Sequence, residues 1–226
     1  MKAKNYSWII PGLFFLLCAL LNLTGRIAWE PLARGTKPAL LPLIALTSVA
    51  AAGGMDSRGM RLLVTAQLLG CAGDVFLMYN GFYPFICGMI AFLAGHVFYM
   101  TLFGGLSWKG LGIRTWIPAL LVMMGLVATL ITVIGVEGDL LVPMCVYGMA
   151  LMLLCFTGIA GVARLKERAW WRVLCGALLF TISDALIAVE TFQESPARWM
   201  GFAVMLTYIS AQALLATGAV KLLKEN

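Results

Sequence analysis

The chain has 226 residues, of which 62% are hydrophobic and 12% are charged, and its mean hydropathy is +0.96. This composition excludes an ordinary soluble domain and predicts a polytopic membrane protein. The formal net charge is +6, but the Lys and Arg residues are spread over short loops without interleaved aromatic residues, so nucleic-acid binding is not expected.

Eight apolar stretches follow one another along the chain, and most are long enough to cross a bilayer as a helix. Gly, Pro, Asn or charged residues separate them. Because a bilayer offers no water to satisfy backbone groups, and the short alternation of a membrane barrel is absent, the expected fold is an all-α helical bundle. Whether the second helix spans fully is left open, since its stretch is short and contains Pro42. The predicted spans are 8–23, 38–53, 59–79, 82–104, 113–134, 139–163, 169–190 and 197–222.

The first stretch lacks a small-residue cleavage site and leads directly into the bundle, so it is expected to remain as the first span. With a cytoplasmic N-terminus, 12 of the 16 Lys and Arg residues, including Lys2 and Lys4, fall on the inner side. That bias follows the positive-inside rule and predicts that both termini are cytoplasmic. The short loops favour a bacterial inner membrane. The outer basic residues are Arg26, Arg34, Lys37 and Arg198.

The six cysteines all lie inside apolar stretches and show no paired spacing. They are expected to be small buried residues rather than disulfide partners or metal ligands.

Two aspartates, Asp74 and Asp184, lie inside predicted spans. An ionised carboxylate at that depth is energetically expensive, so these two residues are the strongest candidates for function. Further polar residues fall in the same depth band, between the outer surface and the midplane. One polar cavity that opens outward would explain this distribution. The further residues are Lys37, His96, Tyr99, Tyr147, Ser183, Tyr208 and Gln212.

Most of these further residues also have structural interpretations. Lys37 would snorkel to the interface from a helix end, and the tyrosines would be ordinary bundle residues with satisfied hydroxyls. His96 and Gln212 would join helices by hydrogen bonds. Such interpretations account poorly for two aspartates in one bundle.

A weak internal symmetry relates the two halves of the chain. Asp74 and Asp184 are 110 residues apart, and HVFY ending at Tyr99 resembles MLTY ending at Tyr208. We therefore interpret residues 1–226 as one transmembrane domain with a weak repeat of two parallel four-helix halves, about 1–110 and 111–226. Such repeats are common in transporters, which keeps a transporter or binding protein open as a non-enzymatic alternative. Because His96 has no counterpart in the second half, a catalytic set is favoured.

Six segments along the chain resemble one known family in their order and spacing. They are TKPALLPL (36–43), GDVFLM (73–78), GHVFYM (95–100), VYGMALM (146–152), GALLFTISDALIA (176–188) and YISAQALL (208–215). Over nearly its whole length the chain resembles the YhhN/TMEM86 family of lysoplasmalogenase-like membrane proteins. The resemblance implies an eight-helix hydrolase that cleaves the vinyl ether bond of lysoplasmalogens, which releases a fatty aldehyde and glycerophosphoethanolamine or glycerophosphocholine. The nine polar residues named above match the family's polar motif positions.

The expected chemistry follows from the reactivity of a vinyl ether, which opens once its β-carbon is protonated. Water captures the resulting oxocarbenium ion, and the hemiacetal collapses to an aldehyde. Two carboxyl groups with different pKa values can divide the tasks, as in glycoside hydrolysis. Asp184 is favoured as the acid and Asp74 as the anion that stabilises the cation or activates water, with His96 as an alternative base.

The remaining residues are expected to bind the substrate. Tyr99, Tyr147, Tyr208 and Gln212 would orient the ether oxygen and water, with Ser183 beside them, while Lys37 would meet the substrate phosphate or hold an aspartate ionised. No cofactor, metal or protein partner is expected, since a single histidine is a poor basis for a zinc site. A metal-dependent membrane lipid hydrolase is the enzymatic alternative.

Overall fold

A computed structural model describes residues 6–192, 197 and 199–225. Within these ranges the chain forms eight α-helices, and no strand is found. The all-α prediction of eight helices is confirmed. Lys2, Lys4 and Arg198, which contributed to the predicted charge bias, lie outside the described residues. The helices are α1 (Ile9–Ala28), α2 (Glu30–Ala52), α3 (Arg58–Phe76), α4 (Phe82–Ser107), α5 (Ile113–Ile134), α6 (Leu141–Leu165), α7 (Arg168–Phe192) and α8 (Met200–Glu225).

The chain is an integral membrane protein, because seven of the helices in its described part are long and apolar enough to cross a bilayer. The helix that falls short is α3, although the sequence predicted a span there. It carries Arg58, Arg61, Gln67 and Asp74. This helix packs among α2, α4 and α8, so neighbouring helices rather than lipid cover much of its surface.

The second helix is longer than predicted and qualifies as a span despite its prolines. It begins at Glu30, directly after Trp29, the residue that separates it from α1. Pro42 has no amide hydrogen for the carbonyl of Pro38, four residues earlier. The Cys71 thiol of α3 donates a hydrogen bond to that carbonyl at 3.3 Å. A neighbouring helix therefore satisfies the backbone group that the proline frees, which a sequence count of apolar residues does not reveal.

Short connections make consecutive helices antiparallel, and glycines let some of them approach closely. A Cβ atom at Gly73 would lie 2.7 Å from the Phe92 ring, so glycine is needed where α3 meets α4. The even-numbered helices point the same way, and two parallel contacts, α2 on α8 and α4 on α6, join the halves of the bundle. We call the end at Trp29, residues 77–81 and residues 135–140 the site end.

The main core draws on every helix except α5. Val127 and Ile131 of α5 belong to a smaller cluster, and this helix packs mainly on α6, with a minor contact to α7. This peripheral position leaves space between α5 and the bundle. The expected burial of the cysteines holds for Cys18 and Cys155 but is wrong for Cys87 and Cys175, which are exposed on helix surfaces. A thiol is a small hydrophobic group, so the bilayer tolerates it on an outward face.

Candidate active site

Asp74 is held by side chains from two neighbouring helices. Asp74 is only 2% exposed, in agreement with its position on α3, which other helices surround. The Lys37 ammonium of α2 lies 3.4 Å from Asp74 Oδ1. The Tyr208 hydroxyl of α8 donates a hydrogen bond to Asp74 Oδ2 at 2.8 Å. Each carboxylate oxygen thus has one partner, as a buried charge requires.

Asp184 of α7 has a different set of partners. The Tyr147 hydroxyl of α6 donates a hydrogen bond to Asp184 Oδ2. His96 Nε2 of α4 lies 3.3 Å from the Tyr147 hydroxyl and 3.9 Å from Asp184 Oδ2. His96 is buried, and its Nδ1 atom has no hydrogen-bond partner among the described residues. Asp184, Tyr147 and His96 therefore form a compact set of groups that can exchange a proton.

Two phenylalanine rings lie between these clusters. The Phe180 ring contacts His96 and Tyr208 edge to face, with centroid distances of 4.7 Å and 5.5 Å. The Phe92 ring packs edge to face on Phe180 and Tyr208 at 6.3 Å and 6.0 Å. The structure thus brings both aspartates into one region but separates them by an aromatic layer, where the sequence predicted one shared polar cavity.

The other predicted site residues lie nearby in separate contacts. Tyr99 donates a hydrogen bond of 2.7 Å to Gln212 Oε1, which links α4 to α8. The Ser183 hydroxyl donates to the carbonyl oxygen of Val204 at 3.1 Å. These hydrogen bonds join neighbouring helices and do not involve either carboxylate.

Sequence reasoning missed several polar groups near the site. Gln67 is fully buried, and neither atom of its amide has a partner among the described residues. It lies seven residues before Asp74 and therefore on the same face of α3, which is a signal that the sequence contained. The sequence places Arg26 and Arg34 only among the outer basic residues. It does not identify Glu190 as a candidate.

An apolar cavity of about 60 Å³ lies under α5, and Asp184 and Tyr147 form part of its wall. Asp184 and Tyr147 are its polar lining residues, and the rest are aliphatic, aromatic or glycine side chains from α3 to α7. The lining residues are Leu77, Phe85, Met89, Phe92, Val127, Leu130, Ile131, Ile134, Met144, Tyr147, Gly148, Leu151, Asp184, Ala185, Ile187 and Ala188.

A second cavity, of about 580 Å³, has a more polar lining and lies at the site end. It is lined by three of the four basic residues that the charge count placed on the outer side, Arg26, Arg34 and Lys37, together with Glu190. Leu77, Phe85 and Ile187 line both cavities, so the two adjoin. The structure therefore has a cationic chamber beside an apolar one, in place of the single polar cavity that was predicted.

These features define a class of protein: an integral membrane helical bundle with one buried and one partly buried aspartate, the second of which lies in the wall of an apolar cavity. Comparison with known proteins agrees with that class. The chain belongs to the YhhN family, whose model matches residues 32–219.

Two similar proteins have functional names. Lysoplasmalogenase TMEM86B of Sus scrofa is 30% identical over 214 residues, which cover 93% of this chain and 85% of the relative. Lysoplasmalogenase TMEM86A of Bos taurus is 31% identical over 155 residues, which cover 66% of this chain and 61% of the relative. No solved structure matches the chain.

Proposed function

We propose that this protein is a lysoplasmalogenase, which hydrolyses the vinyl ether bond of an alkenyl-glycerophosphoethanolamine or alkenyl-glycerophosphocholine. The observation that carries the proposal is the position of the Asp184 carboxyl in the wall of an apolar cavity that adjoins a cationic chamber. The names of the two similar proteins support the same reaction. A lysolipid has one chain, one phosphate and the bond to be cleaved between them, which matches this order of environments.

The substrate would lie across the two cavities. Its alkenyl chain would enter the apolar cavity, whose lining is almost entirely apolar, as the lining of a ligand pocket commonly is. Its phosphate would lie near Arg26, Arg34 and Lys37 in the polar cavity, because guanidinium and ammonium groups bind phosphate by charge-assisted hydrogen bonds. The ether oxygen would then sit near Leu77, Phe85 and Ile187, where the cavities meet.

The reaction would begin with a proton transfer to carbon. Asp184 is the proposed acid because it is the aspartate that reaches the chain cavity. Its proton adds to the second carbon of the alkenyl chain, and the positive charge forms on the first carbon and the ether oxygen. The Asp184 carboxylate left behind, together with Asp74 beyond the aromatic layer, supplies negative charge that stabilises this cation.

Water then attacks the first carbon and gives up a proton to a base. His96 or the Asp184 carboxylate is the proposed base, since His96 Nε2, the Tyr147 hydroxyl and Asp184 Oδ2 already form a connected set. The hemiacetal collapses when its hydroxyl loses a proton, its carbon–oxygen bond to glycerol breaks, and the glycerol oxygen takes up a proton. The net reaction consumes one water and yields a fatty aldehyde and a glycerophospho-alcohol.

The purified protein in detergent is expected to release fatty aldehyde from an alkenyl-glycerophosphoethanolamine and to leave the matching saturated alkyl ether intact. The alkyl ether has no double bond to protonate, so it binds without reacting. Aldehyde is measured with a coupled dehydrogenase. Release of aldehyde that stops with a chelator would favour the metal-dependent alternative, and substrate binding or flux with no aldehyde at all would favour the transporter.

Ala185→Phe, which places a ring in the apolar cavity, is expected to shift chain preference. Long alkenyl chains should lose about tenfold in kcat/KM while short chains keep theirs, because filling the cavity displaces methylene groups worth about 0.8 kcal/mol each. The readout is kcat/KM across a series of chain lengths. The matched control is Ala128→Phe on the exposed face of α5, which should leave the preference unchanged. An unchanged preference in the Ala185 variant would argue against chain binding in this cavity.

The orientation in the membrane stays a prediction. We propose that both termini are cytoplasmic and that the site end faces the outer side of a bacterial inner membrane, as the positive-inside count favours. Three of the four outer basic residues line the polar cavity, so a binding role accounts for these exceptions to the rule.

A further inference from the structure

The polar cavity contains an anion as well as cations. Glu190, near the end of α7, lines it together with Arg26, Arg34 and Lys37. It is half-buried, and among the described residues it forms no hydrogen bond or ion pair. Its carboxylate lies in the cavity lining, and no cation of the described residues is paired with it. It is therefore a candidate to bind a ligand cation.

The carboxylate of Glu190 and the guanidinium of Arg26 both lie close to Gly201. A Cβ atom at Gly201 would be 3.6 Å from Arg26 Nη1 and 3.9 Å from Glu190 Oε1. The two opposite charges are thus close neighbours, yet they form no ion pair. A ligand whose anionic and cationic groups are joined by a short linker could therefore contact both side chains, with its anion at Arg26 and its cation at Glu190.

The arginine side of this space is suited to an anion. Arg26 Nη1 forms an ion pair with Glu30 Oε1 at 3.3 Å, and Arg34 Nε lies 3.6 Å from the same oxygen. The Nε atom of Arg26 is buried and has no hydrogen-bond partner in the described part of the chain. Arg26 and Arg34 also line the polar cavity, and a guanidinium group is a suitable donor to phosphate oxygens.

We infer that Glu190 is the specificity residue for the substrate headgroup: it binds the ammonium of a phosphoethanolamine while Arg26 binds the adjoining phosphate. The inference rests on the proposed function for its lipid, but it concerns a residue and a subsite that the cleavage chemistry does not require. A lysolipid whose phosphate carries no amine has no cation for Glu190 to bind, so Glu190 should not increase the affinity for that lipid.

The test measures binding rather than hydrolysis. Saturated 1-O-alkyl-glycerophosphoethanolamine and 1-O-alkyl-glycerophosphate are titrated onto the full-length protein in detergent. For Glu190→Gln we expect about tenfold weaker binding of the ethanolamine lipid, the loss expected for one hydrogen bond to a charged group, and unchanged binding of the glycerophosphate lipid. That unchanged binding also verifies that the variant is folded.

Glu30→Gln provides the matched control, because it removes the same charge beside the same arginines. It frees Arg26 and Arg34 from Glu30 and should change the affinity for both lipids by the same factor. Equal effects of Glu190→Gln on both lipids, no effect on either, or no binding of either lipid to the unmodified protein would overturn the inference. Selective loss of the ethanolamine lipid in a protein that releases no aldehyde would refute the proposed function alone.

Discussion

Asp184→Asn is expected to lower the maximal rate of aldehyde release by about 10³-fold, the usual size of a general acid–base contribution. An amide of the same shape keeps its place in the cavity wall but cannot deliver a proton to the alkenyl carbon. The measurement is kcat with saturating alkenyl-glycerophosphoethanolamine. Binding of the saturated alkyl ether should change by no more than about twofold, because the carboxyl acts on the reacting carbon and not on the headgroup.

The control for Asp184→Asn is Asp56→Asn, the same chemical change at an exposed residue in the loop between α2 and α3. It should retain full activity. Asp74→Asn should fall between the two variants if Asp74 supplies charge without donating the proton. Retention of more than about a tenth of the activity by Asp184→Asn would be incompatible with its role as general acid.

Lys37→Met is expected to lower the free energy of unfolding by about 3 kcal/mol, because it leaves the Asp74 carboxylate buried without its cation. Both partners are buried, with side-chain exposures of 10% for Lys37 and 3% for Asp74. The double variant Lys37→Met, Asp74→Asn should recover most of this stability, since it removes both charges together. The measurement is equilibrium unfolding of the purified protein in detergent.

Lys221→Met serves as the control for Lys37→Met. Lys221 pairs with Glu225 at 3.8 Å, but the two side chains are 40% and 46% exposed, so loss of this pair should have no measurable effect on stability. The double variant at the site should be stable but should show the same reduced activity as Asp74→Asn, because both lack the Asp74 anion. If Lys37→Met were as stable as the unmodified protein, the pair with Asp74 would not be an important interaction in the core.

The two clusters are arranged in a way that supports the predicted internal repeat, which stays a prediction. Asp74 is bound by a side chain from α2 of its own half and by Tyr208 from α8 of the other half. Asp184 is bound by Tyr147 from α6 of its own half and contacts His96 from α4 of the other. Lys37 and Tyr147 are 110 residues apart, as the aspartates are. If the chain arose by duplication of a four-helix unit, Lys37 and Tyr147 would occupy equivalent positions, with Lys in the first copy and Tyr in the second.

Composition and hydropathy by themselves determined the fold class and the number of helices. In a bilayer the backbone N–H and C=O groups must form hydrogen bonds within the protein. Long runs of apolar residues therefore predict helices directly. The same reasoning singled out Asp74 and Asp184, because a carboxyl group in an apolar run is costly wherever the helix packs. The extent of α2 was harder to predict, since the Cys71 thiol that bonds to its free carbonyl comes from another helix.

Only the tertiary structure decided which polar groups meet. The sequence placed nine side chains at one depth, but depth does not specify which way each helix turns. The structure assigns Lys37 and Tyr208 to Asp74, and His96 and Tyr147 to Asp184, with Phe92 and Phe180 between the two clusters. It also places Glu190 beside Arg26. Such pairings depend on how helices distant in sequence rotate and pack against each other, and a hydropathy pattern carries no information about that rotation.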